Sequence, residues 1–128
     1  MNPVPQSIRL ASLILLSAAA LACSREPAPV SFAAEVRPLL DRHCVACHVP
    51  GQPGYETSGL RLDSYDALMK GTKFGPIVIP GDPLSSALTM LIEGRADPSI
   101  DMPHGKAPLP AQDQRTIRAW VEQGAPDN

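Results

Sequence analysis

Residues 44–48 read Cys-Val-Ala-Cys-His, and two thiols and an imidazole held this close limit the chain to three chemistries. A thioredoxin-like dithiol sits in a strand–helix–strand setting. Here a helical pattern leads into the motif, and no parallel-sheet pattern exists. Zinc requires further Cys or His ligands in a second close pair. Only His43, His104 and Cys23 remain for that purpose, and they are scattered. The third chemistry, covalent haem attachment, requires His directly after the second cysteine. The two thiols add across the vinyl groups on one edge of the macrocycle, and the adjacent imidazole reaches the iron. His48 stands at that position.

The compartment agrees with this reading. Arg9 precedes an apolar run from Leu10 to Ala22, interrupted only by Ser12 and Ser17, and Ala20-Leu21-Ala22 forms a small-x-small cleavage pattern. The run falls short of the roughly 20 residues a membrane-spanning helix needs, so residues 1–22 read as a cleaved export signal. Covalent haem attachment takes place outside the cytoplasm, where the same cysteine pair would otherwise be open to oxidation to a disulfide. Ala-Leu-Ala-Cys followed by Ser24 also resembles the lipobox of bacterial lipoproteins. Two outcomes therefore stand for Cys23. Acylation would hold the protein at a membrane surface facing the periplasm, and ordinary secretion would leave it free in the exported compartment.

Removing Arg9 with the signal leaves ten of the eleven Lys and Arg against thirteen Asp and Glu. That acidic balance argues against a nucleic-acid partner. Fifteen prolines and nine glycines in 128 residues imply long structured loops, and only Phe32, Tyr55, Tyr65, Phe74 and Trp120 supply aromatic core material. One small domain is expected, with something besides side chains filling its interior. Residues 23–31 read as a polar, proline-bearing tether, 32–125 as the domain and 126–128 as a tail.

Along the domain the periodicity is helical. Val36, Leu39, Leu40 and Cys44 share one face of a first helix, within which Pro38 marks either the first turn or a kink. Residues 49–62 read as a loop. Asp63 or Ser64 caps a short helix ending before Gly71, and 72–81 read as extended and loop-like. Asp82-Pro83 offers a cap and a first helical position for a helix carrying Leu84, Ala87, Leu88, Leu91 and Ile92, which Gly94 ends. A proline-rich stretch spans 97–110, and a last helix over 111–123 presents Ile117, Trp120 and Val121 on one side. No strand pattern or internal repeat is present.

An attached iron needs an upper ligand, and Met69, Met90, Met102 and His104 are the downstream candidates. Met69 and Met90 lie in helical patterns and read as core filler. Met102 stands in Asp-Met-Pro-His-Gly, an extended stretch where no helix face accounts for a buried methionine. Trp120 reads as a core aromatic and His43 as solvent-facing.

The chain resembles the monohaem c-type cytochromes, and within them the planctomycete-type cytochrome c domain, over residues 32–125. Beyond Cys44, Cys47 and His48, the resemblance rests on Pro38-Leu39-Leu40, on Gly59-Leu60-Arg61-Leu62-Asp63-Ser64 and on residues 75–83, Gly-Pro-Ile-Val-Ile-Pro-Gly-Asp-Pro. It rests further on Met102-Pro103 and on residues 117–124, Ile-Arg-Ala-Trp-Val-Glu-Gln-Gly. What it implies is an all-α, small class I-like cytochrome c fold of about four helices, with the first and last helices packed across each other around one covalent haem c. It implies Met102 as the ligand opposite His48, although His104 replaces what is often a second proline. It also implies that Gly75-Pro76 passes the haem edge, where a carbonyl accepts the His48 Nδ1 proton.

Arg61 is a candidate partner for a haem propionate. With both axial positions filled the haem has no open site, which makes the chain a one-electron carrier between redox proteins and not an enzyme by itself. Arg37, Arg42, Arg61, Lys70 and Lys73 are candidates for steering an acidic partner. Two other functions remain. One is a gas sensor or peroxide-reacting haem protein whose sixth position opens. The other is a thiol–disulfide oxidoreductase without haem.

Overall fold

In the computed structural model, which describes residues 27–128, the first element starts at Ser31. Its Oγ accepts the Ala34 N–H at 3.1 Å while its own N–H donates to Glu35 Oε2 at 2.9 Å, so two donors at the helix end are satisfied reciprocally. A single π-helical turn over Phe32–Val36 then runs directly into helix α1, Arg37–His43. Pro38 accounts for the widening, because it cannot donate to the Ala34 carbonyl and its ring crowds that oxygen. The Arg37 N–H reaches back to the Phe32 carbonyl instead. The helix thus begins at Phe32, and Pro38 lies in the first turn of its α-helical part.

Four more α-helices follow among the described residues: α2, Pro53–Ser58; α3, Tyr65–Lys70; α4, Ala87–Ile92; and α5, Ala111–Glu122. The residues form no strand, only an isolated bridge between Thr72 and Gly75. The fold is all-α, with one helix more than the sequence suggested. That helix, α2, lies in the stretch read as a loop. It buries none of its residues, so it leaves no apolar period to detect, and Pro53 at its start and left-handed Gly59 at its end bound it.

Helix α3 is capped by Ser64, whose Oγ accepts the Ala67 N–H at 3.2 Å. Helix α4 starts later than the Asp82-Pro83 pattern suggests. Asp82 Oδ1 accepts the N–H groups of Leu84 and Ser85, each at 3.0 Å, and closes a separate turn. Ser86 then breaks helical geometry, with ψ at 120°. Its buried Oγ accepts the Ile79 N–H at 2.8 Å and donates to the Asp82 carbonyl at 2.8 Å. Leu84 falls outside the helix and is exposed.

Helix α5 packs against the π-helical turn and against α4. It contributes Ile117, Trp120 and Val121 to the core, all fully buried. Phe32, Tyr65 and Trp120 form an aromatic triad, with ring centroids 5.1 Å apart for Phe32–Tyr65 and 5.5 Å for Phe32–Trp120. The Trp120 Nε1–H donates to the Pro126 carbonyl at 2.9 Å, and the Tyr65 hydroxyl donates to that of Ala125 at 2.8 Å.

The last residues, read from sequence as a tail, are laid along the start of the domain. Phe32 N–H donates to Asn128 Oδ1 at 2.7 Å, Ala33 N–H to the Asn128 carbonyl at 2.8 Å, and Val30 N–H to Gln123 Oε1 at 2.7 Å. No helix among the described residues is long and apolar enough to cross a membrane. The export signal and Cys23 lie outside the described residues.

Candidate functional site

Helix α1 delivers the Cys-Val-Ala-Cys-His stretch as a tight coil. The N–H groups of Cys44 and Val45 both donate to the Leu40 carbonyl at 2.9 Å, and His48 N–H donates to the carbonyls of Cys44 and Val45, each at 3.1 Å. The coil is fastened from outside at two points. Leu62 N–H donates to the His48 carbonyl at 3.0 Å, and Tyr55 N–H, from the first turn of α2, to the Cys47 carbonyl at 3.1 Å. Both thiols are free and half-buried.

These residues line a cavity of about 550 Å³ whose surface is mostly apolar, formed by Leu60, Leu62, Ile77, Leu88 and Leu91 among others. Met102, Pro103 and His104 belong to the same lining. Volume and character match a bound organic cofactor more closely than a packing defect, since ligand sites run to roughly 300–1,000 Å³ with a few placed polar groups. Burial pushes the Cys44 thiol up to about 11, the nearby Cys47 adds to the rise, and the Lys106 charge opposes it. Burial holds the His48 imidazole below its ordinary value, offset in part by the Leu60 backbone. At neutral pH His48 is therefore neutral, the form in which imidazole ligates a metal.

Of the residues singled out from sequence, Cys44, Cys47, His48 and Met102 share the one cavity. Arg61 is not among its lining residues and is exposed. Its guanidinium donates to Asp63, with Nε 3.1 Å from Oδ1 and Nη2 2.7 Å from Oδ2. Gly75 and Pro76 are also outside the lining. The Gly75 carbonyl is taken by Thr72, from its N–H at 2.9 Å and its Oγ1 at 3.1 Å. His48 Nδ1 is buried and has no hydrogen-bond partner. His43, read as solvent-facing, lines the cavity with its Nε2 3.0 Å from Asp113 Oδ2. Asp113 is on α5, 70 positions away, and no local pattern announces that pairing.

Gly54 also escaped sequence reasoning. A Cβ built on it would lie 2.7 Å from the Cys47 carbonyl oxygen and 2.9 Å from His48 Cε1. Among the described residues no group of three or more His, Cys, Asp or Glu side chains is placed to hold a metal ion, so these residues offer zinc no ligand set. A dithiol of thioredoxin type lacks its sheet. Two free thiols and a neutral imidazole on an apolar wall fit a flat macrocycle, which Cys44 and Cys47 would hold through thioethers and whose metal His48 would ligate.

A family model described as Planctomycete cytochrome C matches residues 44–104, from the first cysteine of the motif to the histidine beside Met102. No curated protein and no solved structure matches the chain.

Proposed function

The chain belongs, through residues 44–104, to the planctomycete cytochrome c family, and on that premise we propose that it is a one-electron carrier in an exported compartment. The observation that carries the proposal is that Cys44, Cys47, His48 and Met102 line one apolar cavity. In this reading the cavity holds one haem c, bonded through Cys44 and Cys47, in a small fold of the class I cytochrome c kind. The bound iron supplies a one-electron couple. The chain's own residues orient and shield it: His48 presents a neutral imidazole, Met102 a thioether, and the leucine and isoleucine wall excludes water. A haem held by both His48 and Met102 would have no position left for a substrate, and on this reading the chain would work as a carrier between partner proteins and not as an enzyme by itself.

A reduced pyridine haemochrome spectrum of protein matured with the attachment machinery tests haem and thioethers together. Met102→Ala is predicted to lower the midpoint potential, abolish the weak sulfur-to-iron band in the far red of the oxidised protein and admit carbon monoxide. His104→Ala is predicted to change none of these. Loss of the low-spin spectrum in the His104 variant with retention in the Met102 variant would instead make the carrier bis-histidine.

Export through residues 1–22 and acylation of Cys23 complete the proposal, on the strength of the sequence pattern alone. Intact-mass measurement of membrane-fraction protein is predicted to show a lipid-sized increment, and Cys23→Ser to release the protein. A wholly soluble native chain with an unmodified first residue would leave ordinary secretion.

A further inference from the structure

We propose that Gly54 is a positioning residue for His48: its missing side chain lets the backbone of α2 lie against the Nδ1–Cε1 edge of the imidazole and fix the ring's orientation. The inference rests on the haem reading of the same cavity. Gly54 is the second residue of α2 and, unlike the other glycines of the domain, has no positive φ. Nothing in its backbone conformation calls for glycine; the space around it does. A Cβ there would lie 2.7 Å from the Cys47 carbonyl oxygen, 2.9 Å from His48 Cε1 and 3.0 Å from His48 Nδ1.

Neither neighbour can yield easily. The Cys47 oxygen is backbone, held by the Tyr55 N–H at 3.1 Å, and Cys47 is one of the proposed tethers. His48 is anchored on both sides of its Cα, through its N–H to Cys44 and Val45 and through its carbonyl to Leu62 N–H. The ring is therefore the part that would turn.

Two further observations point the same way. Helix α2 buries none of its own side chains, so core packing does not explain why this polar turn is docked on the motif. It is held by backbone instead, through the Tyr55 N–H on the Cys47 carbonyl at 3.1 Å. In addition, His48 Nδ1 is buried without a hydrogen-bond partner. Metal-ligating histidines ordinarily have their ring fixed by a bond from the second nitrogen. No bond from Nδ1 fixes this ring, so beside the Leu60 backbone that faces the imidazole the close backbone of α2 limits the plane the ring can take.

The test uses the matured holoprotein, after a pyridine haemochrome spectrum has shown haem and both thioethers. A spectrum without covalent haem would remove the functional reading and this inference with it. With haem established, the ferrous wild-type protein is expected to give a nuclear Overhauser contact between the Gly54 Hα protons and His48 Hε1, and its absence would overturn the assignment without touching the haem reading. Gly54→Ala is expected to keep both thioethers yet shift the His48 ring resonances of the oxidised protein and move its midpoint potential. Glu56→Gly serves as control, because it weakens the same helix and removes the Glu56 bond to Gly51 N–H without approaching the ring. It is expected to leave both readouts in place. Equal shifts in the two variants, or none in Gly54→Ala, would overturn the proposal; if Gly54→Ala fails to mature, the wild-type contact decides.

Discussion

Trp120 has no solvent exposure, yet its indole N–H keeps a partner in the Pro126 carbonyl, and its ring meets Phe32 and Tyr65. Trp120→Ala is predicted to cost about 3–5 kcal/mol, read as a lowered urea midpoint of the holoprotein, with the haem spectrum kept because Trp120 does not line the cavity. Single residues were legible in the sequence when their reason was periodic or chemical. Ile117, Trp120 and Val121 follow from helical spacing, and Cys44, Cys47 and His48 from thiol and imidazole chemistry. Gly54 was illegible because its reason is a through-space contact with a ring six positions earlier. Arg61, a candidate partner for a haem propionate, pairs with Asp63 two residues away, a local partner that spacing alone could have suggested.

Ser86 decides where α4 begins. Its buried hydroxyl bonds the backbone of Ile79 and Asp82, anchoring the preceding loop to the helix start. Ser86→Ala would leave the Ile79 N–H without that partner, and a loss of about 1–3 kcal/mol is predicted, measured by chemical unfolding. The helix boundary was misjudged because Asp82-Pro83 is a sound start signal for a turn as well as for a helix, and Leu84 fitted the stripe by spacing while the fold leaves it exposed. Elements with an apolar face and a cap were readable: α3 starts after Ser64 and stops at Gly71, and α5 ends before Gly124. The polar α2 had no face to read.

The molecule as a whole encloses an apolar cavity of about 550 Å³, and a chain with five aromatic residues has few large side chains to fill it. Replacing Cys44 and Cys47 together by Ala is predicted to give a protease-sensitive, poorly helical chain, since a small core deprived of its filler loses much of its burial. Circular dichroism and limited proteolysis would show it, and a cooperative melt close to that of the holoprotein would contradict it. Fold class was legible at this scale because every apolar period in the sequence was helical. The joining of the two ends was not, since Val30 and Gln123 meet across 93 positions by single hydrogen bonds that leave no pattern. That joining has a mechanical consequence. Whatever grips the chain ahead of Val30 pulls first on the bonds to Gln123 and Asn128 and, through Gln123, on the end of α5. Tension along the tether would therefore peel this corner open before reaching the coil that carries His48.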